Sequence, residues 1–408
     1  MRRTPEAHYS FTIPSIHDDT TLDCRIYHPN SLLTPDNPED IAKWTKRGIV
    51  MAHPYAPMGG SYDDRVVGIV IDEFLSAGFI VGTFNFRGAH GSKGRTSWSG
   101  RPELDDYTSF AAFFMHYMSY LQPSLPQHLV FAPEQPLMSP SSIAPVHMQN
   151  DVCPLVVLGG YSYGSLILRN LPPVPTILQP FSAPLAGSAA DEVVLRARKL
   201  ADQSNMEWVT LARDETRARK NRAKHNSQPS ITMGGEETNP SKRRSSREIR
   251  RSLEGSTRLE IRTRLRSLSH KRRDHNEPVT PTKAESEATT PTKVESPDFT
   301  MPDTRYLIIS PLTPPLSSLA APALIHKFWS RSKDDHQEIV GKHICLAIYG
   351  DQDIFTSAKK LRDWSEQLKV NPASQFRSVE VAGAGHFWVE HGVEEQLRVA
   401  LKEWITET

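Results

Sequence analysis

Cysteine is scarce in this chain: of 408 residues only Cys24, Cys153 and Cys345 are cysteines. They are odd in number and embedded in strand-like stretches. This excludes a disulfide framework and reads as small core residues of a reducing compartment. Long apolar runs are also missing. None approaches the eighteen or so residues that a membrane-spanning helix needs, and no cleavable apolar segment follows Met1. A soluble, intracellular, cytoplasmic chain is therefore expected. No Cys-x-x-Cys pair, His-Glu-x-x-His helix or Walker glycine loop occurs. Gly88, Gly91 and Gly94 follow a strand without the dinucleotide spacing, so neither a metal nor a nucleotide cofactor is implied. Hydrophobic residues make up only 38%, which is low for a chain packed wholly into cores, so part of its length is expected to be unfolded.

Net charge is nearly absent, a formal +1 at pH 7, but the balance conceals two opposite parts. From Arg213 to Arg273 there are 19 Lys and Arg against 7 Asp and Glu, a net +12, which leaves 29 against 40 elsewhere. Apolar residues are sparse from about Asn226 to Thr300, and the stretches 278–286 and 288–296 form a short low-complexity repeat. Such a segment buries too little apolar surface to offset its chain entropy. The expected organisation is a globular part over 1–186, a basic and largely disordered insert over 187–301 with a helix pattern at 191–222, and a second globular part over 302–408. Residues 213–273 have the charge to bind an anionic membrane surface or another polyanion. Ser245, Ser246, Ser267 and Ser269 lie among the basic clusters, where phosphorylation would cancel much of that charge.

What the chain does have is organised around Pro154 to Leu168, PLVVLGGYSYGSLIL. Leu155 to Leu158 read as a strand covered on both faces, ended by Gly159 and Gly160, and Leu166 to Leu168 suit a helix packed back on it. Gly160, Tyr161, Ser162, Tyr163 and Gly164 form G-x-S-x-G. Ordinary glycine usage produces that pattern by chance, but strand, turn and helix are the context in which it makes a nucleophile elbow. Upstream, Tyr9 to Ile13 and Thr21 to Tyr27 read as an antiparallel hairpin. Arg47 to Ala52 is a strand running into His53 to Gly60. A helix capped by Asp63 or Asp64 carries Val66, Val67, Val70, Phe74 and Leu75 at helical spacing. Phe79 to Phe84 is the next strand and Glu103 to Leu121 the next helix. Beyond the insert come strands at Arg305 to Ser310, Ile344 to Tyr349 and Arg377 to Val381. Helices are expected within 317–329, over 357–368 and over 389–405. Alternating strands and helices predict a mostly parallel, doubly wound α/β sheet with its chemistry at the strands' carboxyl ends.

Two of the late strands run into Gly350-Asp351-Gln352-Asp353 and into Ala382-Gly383-Ala384-Gly385-His386. A serine hydroxyl is a poor nucleophile near neutral pH. It needs an imidazole to take its proton and a carboxylate to hold that imidazole's tautomer, and the order here is Ser, Asp, His. Without the insert, the 191-residue interval from Ser162 to Asp353 shrinks to 76, room for about two strand–helix units.

With these residues the chain resembles the α/β-hydrolase superfamily, and within it the compact hydrolases with an HPxxxxGG stretch (His53 to Gly60) and an FNFRG stretch (Phe84 to Gly88). The resemblance implies Ser162 as nucleophile, His386 as general base and an acid in the Gly350 loop. By the superfamily's usual spacing the acid is Asp353, with Asp351 bracing the loop. It also implies an oxyanion hole from the N–H of Tyr163 and one N–H of the His53 loop. Pro54 has none, which leaves Tyr55, with Ala56 behind it. His53 either shapes its loop or faces the pocket, and Arg87 either pins its loop through a carboxylate or meets substrate. Tyr161, Phe387 and Trp388 either line an acyl pocket or pack beside the sheet. The implied activity is a serine hydrolase of carboxylic esters, thioesters or small amides. The alternative is a catalytically idle hydrolase fold that binds membranes or other partners through the insert.

Overall fold

The computed structural model describes residues 5–35, 38–123, 153–226, 299–324 and 339–407. Eight strands form one sheet: β1 (Tyr9–Pro14), β2 (Thr21–Tyr27), β3 (Arg47–Ala52), β4 (Ile80–Phe84), β5 (Leu155–Tyr161), β6 (Asp303–Ile309), β7 (Cys345–Gly350) and β8 (Phe376–Val381). Their order is β1-β2-β4-β3-β5-β6-β7-β8. β2 runs antiparallel to β1 and β4, and every pairing from β4 to β8 is parallel. Ser162, Asp353 and His386 thus follow the carboxyl ends of the parallel strands β5, β7 and β8, at one edge of the sheet.

Side chains alternate across a strand, so a sheet covered on both faces sends successive residues to opposite layers. Val50, Ala52, Val156 and Leu158 join Phe110, Phe113, Phe114 and Tyr117 of the helix Arg101–Tyr120 in one core. Ile49, Met51 and Val157 join Val66, Val70 and Phe74 of the helix Arg65–Ser76, with Leu397, Leu401 and Trp404 of the helix Val393–Glu407, in the other. Asp64 caps the first of these helices by accepting the Val66 N–H at 2.8 Å.

Two features differ from the sequence reading. β5 does not stop at Leu158. Gly159 and Gly160 stay extended and paired with Met51 and Ala52 on one side and Leu307 and Ile308 on the other. Between two central strands the ladder hydrogen bonds outweigh the weak strand propensity of glycine. The second difference concerns 187–301, which opens with a helix, Ala189–Asn226, whose first half belongs to the core. Val193, Ala197, Ala201, Ser204, Trp208 and Ala212 recur every three or four residues and are buried. The stripe is narrow and partly alanine, so the composition reads as polar although one edge packs. Ser204 Oγ also bonds the hydroxyls of Tyr9 at 3.0 Å and Tyr117 at 2.9 Å, joining this helix to the hairpin and to the 101–120 helix. Arg213 to Arg222 continue the same helix, with their cations exposed. The repeat at 278–286 and 288–296, the basic clusters 242–244 and 271–273 and the serines among them lie outside the described residues. No helix among the described residues is long and apolar enough to cross a membrane.

Candidate active site

The elbow is built by close backbone approach. A Cβ on Gly160 would lie 2.4 Å from the Gly164 carbonyl carbon, and one on Gly164 would lie 2.6 Å from the Ala52 oxygen. Nothing larger than hydrogen fits at either position, and the contact with Ala52 sets the opening of the helix Tyr163–Arg169 against the end of β3. Between these glycines Ser162 sits at φ 55° and ψ −113°, a conformation that costs on the order of 1–3 kcal/mol for a residue with a side chain. It persists because its surroundings over-determine it. The Ser162 N–H donates to the Ile309 carbonyl at 2.9 Å, and its own carbonyl accepts from Ser165 N at 3.0 Å and Ser165 Oγ at 2.6 Å. Gly160→Ala and Gly164→Ala are each expected to cost about 1–3 kcal/mol in chemical denaturation. A displacement of Ser162 near 1 Å should lower activity on the order of a hundred-fold. An alanine at either site with unchanged stability and turnover would contradict this account of the elbow.

The structure brings Ser162, His386 and Asp353 into one hydrogen-bonded line. Ser162 Oγ lies 2.8 Å from His386 Nε2, and His386 Nδ1 lies 2.7 Å from Asp353 Oδ2. With the Nδ1–H donated to the carboxylate, Nε2 carries the lone pair that faces the serine hydroxyl. Asp353 is itself held, since its Oδ1 accepts the N–H groups of Phe355 at 2.7 Å and Thr356 at 3.0 Å. Asp351 points elsewhere and accepts the Gly383 N–H at 2.7 Å, tying the β7 loop to the β8 loop. The imidazole is oriented further by Phe355, whose ring stands edge-on to it at 4.6 Å, and by Tyr161, whose hydroxyl donates to the His386 carbonyl at 2.8 Å. Phe355 and Thr356 were not singled out from the sequence. Loop residues with no chemistry of their own leave no signal there, and only the fold turns their N–H groups toward Asp353.

The remaining candidates separate. Tyr163 opens the elbow helix, where a first-turn N–H has no acceptor within the helix. Tyr55 begins the turn after β3, with its ring 5.1 Å from that of Tyr163, so the two loops lie side by side. Phe387 is half exposed beside His386 and Phe355. Trp388 is buried in the core beneath, its indole N–H donating to Ser310 Oγ at 2.9 Å. Arg87 is taken up by carboxylates. Its guanidinium contacts Asp106 at 2.7 and 2.9 Å, Asp18 at 3.0 and 3.2 Å and Ser15 at 3.2 Å, pinning the β4 loop to the hairpin turn and to the 101–120 helix.

His53 is a strut between two loops. Its Nδ1–H donates to the Pro54 carbonyl at 2.6 Å, and its Nε2 accepts the Phe86 N–H at 2.9 Å. That bond needs the neutral ring, and burial holds its pKa down at about 4, against 6.5 for a free histidine. Burial likewise lowers His116 to about 4. Between these two pH values the unfolded chain binds protons that the folded chain refuses. The stabilisation is therefore complete above about pH 6.5 and lost as pH falls toward 4. At about 1.4 kcal/mol per pH unit the His53 interval is worth about 3 kcal/mol. The urea midpoint is expected to fall steadily from pH 6.5 to 4, and a flat midpoint would show that these histidines are not held neutral.

No protein-family model and no curated protein matches the chain. Among solved structures, it is similar to an α/β serine hydrolase homologue from Coxiella burnetii, at 12% identity and a TM-score of 0.43 over 98% of this chain and 99% of that one. A lidless α/β serine hydrolase from Xanthomonas campestris aligns at 14% identity and 0.44 over 100% and 97%. Est1E from Butyrivibrio proteoclasticus, solved with ferulic acid bound, aligns at 10% identity and 0.44 over 97% and 98%. The topology stands on the chain's own sheet. Its first two strands form an antiparallel hairpin, β3 lies inside β4, and the rest run parallel outward to β8, with the elbow at the end of β5. That order is the α/β-hydrolase fold, and this chain adopts it.

Proposed function

We propose that the chain is a serine hydrolase that cleaves a carboxylic ester, thioester or small amide through an acyl-enzyme on Ser162. The observation that supports this most is the line from Asp353 through His386 to a serine hydroxyl held at positive φ. As Ser162 Oγ attacks the substrate carbonyl carbon, its proton passes to His386 Nε2, and Asp353 steadies the imidazolium. The carbonyl oxygen becomes an oxyanion, for which the N–H groups of Tyr163 and Tyr55 are the proposed donors. Collapse breaks the bond to the leaving alcohol, thiol or amine, which takes the proton from His386. Water then enters, gives its proton to the same nitrogen, attacks the acyl carbon, and releases the acid with Ser162 restored.

A fluorophosphonate probe tests the reading, because its phosphorus traps an activated serine without any need to know the substrate. Covalent labelling of the full chain is expected, with none in Ser162→Ala and little in His386→Ala. A folded chain that takes no label would overturn the enzyme reading and leave the inactive scaffold.

A further inference from the structure

Thirteen large hydrophobic side chains stand exposed among the described residues. Six of them, Met58, Trp98, Leu319, Ile354, Phe387 and Val389, lie in the loops and short helical turns that follow the carboxyl ends of β3, β4, β6, β7 and β8. Single exposed apolar residues need no explanation, but these crowd the edge of the sheet that holds Ser162, Asp353 and His386.

Trp98 stands out among them, because its indole is 76% exposed while the backbone beneath it is held fast. Glu103 is buried, and its two oxygens accept the N–H and the O–H of Ser97, each at 2.5 Å. Ser97 Oγ accepts the Gly100 N–H at 3.0 Å. Gly100, at φ +75°, lies so close to the loop after β6 that a Cβ there would be 2.5 Å from the Ala321 Cβ. A buried carboxylate thus fixes a tight turn whose outermost residue is a tryptophan facing water.

Charge decides what the turn suits. The loop 88–100 and the first two residues of the helix Arg101–Tyr120 contain Lys93, Arg95 and Arg101, all exposed, and no Asp or Glu. No ion pair engages any of the three among the described residues. An indole flanked by cations is the composition of an interfacial anchor: the ring favours the boundary between headgroups and acyl chains, and Lys and Arg favour anionic headgroups. A second copy fits less well, because a two-fold contact would set these cations against themselves.

We propose that this loop docks the carboxyl edge of the sheet onto an anionic lipid surface, with Trp98 in the headgroup boundary and Lys93, Arg95 and Arg101 on the headgroups. The docking does not depend on the chemistry at Ser162, and it uses a segment separate from the basic stretch 213–273. The test uses the full chain with vesicles of equal parts phosphatidylglycerol and phosphatidylcholine, read by co-sedimentation and by quenching of tryptophan fluorescence by acyl-brominated lipid. Quenching is expected in the unaltered chain and is expected to vanish in Trp98→Ser, with vesicle affinity about ten-fold weaker or more. The triple variant Lys93→Gln, Arg95→Gln, Arg101→Gln should bind on the order of a hundred-fold more weakly at low salt, with the difference shrinking as salt rises. All four side chains are exposed, so loss of folding does not confuse the result. Unchanged quenching and affinity in Trp98→Ser would overturn the proposal and assign any binding to another segment. Equal affinity for pure phosphatidylcholine would overturn it as well. So would sedimentation velocity that shows Trp98→Ser converting a dimer into a monomer, which would give the surface to a second copy.

Discussion

Ser162→Ala and His386→Ala are each expected to lower turnover on the order of 10⁴- to 10⁶-fold, and the double variant should be little worse than either. The reason is the shared proton. On the proposed mechanism the Ser162 hydroxyl loses its proton only to His386 Nε2, 2.8 Å away, so once one partner is gone the other has nothing to act on. Losses that add on a logarithmic scale would show that the two side chains do not act as a unit.

The acid separates two neighbouring aspartates. In Asp353→Asn the amide oxygen can still accept from Phe355 and Thr356, which leaves the NH₂ facing His386 Nδ1. Nδ1 must then accept, the ring proton moves to Nε2, and the imidazole presents a donor to Ser162 where a base is needed. A loss on the order of 10⁴ in kcat is expected. Asp351→Asn retains an oxygen for the Gly383 N–H and should change turnover little. A stably folded Asp351→Asn that loses more activity than Asp353→Asn would reverse the assignment.

Asp106→Asn is expected to destabilise the fold by about 3 kcal/mol in urea denaturation, because it leaves the buried Arg87 guanidinium with only the half-exposed Asp18 carboxylate as counter-charge. Arg87→Met combined with Asp106→Leu should recover much of that loss, since it removes both charges together. Asp18 supports the same arginine from a half-exposed position, and Asp18→Asn should cost about 1 kcal/mol or less. If instead Arg87→Met leaves stability intact and raises KM, Arg87 belongs to the substrate pocket and not to the frame.

The strand–turn–helix around Ser162 and the positions of Asp353 and His386 just beyond strand ends were legible because each is specified locally. Gly160 and Gly164 are separated by the spacing that a strand–turn–helix requires; Asp353 falls a few residues beyond the apolar, buried run of β7, and His386 beyond the alternating edge strand β8. The hairpin, the alternation of strands and helices and the parallel sheet follow from period-two and period-three-to-four patterns that any short window contains. The long helix was harder to read. Its buried stripe of Val193, Ala197, Ala201 and Trp208 is too narrow to outweigh the charges around it, and only the facing surface of the 101–120 helix shows which edge packs.

Tertiary structure alone decided the partners of the charged and polar groups. Arg87 finds Asp18 and Asp106 in segments 69 and 19 residues away, and that pairing pins the β4 loop. His53 bonds Phe86 across two loops, Asp353 takes the N–H groups of Phe355 and Thr356, and Glu103 ties down Ser97 beside the exposed Trp98. A hydrogen bond reaches only about 3 Å, so its partner is set by which loops the fold sets side by side. Apolar burial tolerates any neighbour of the same character and is therefore written in composition and spacing, whereas a directional bond requires one particular atom that the sheet must deliver.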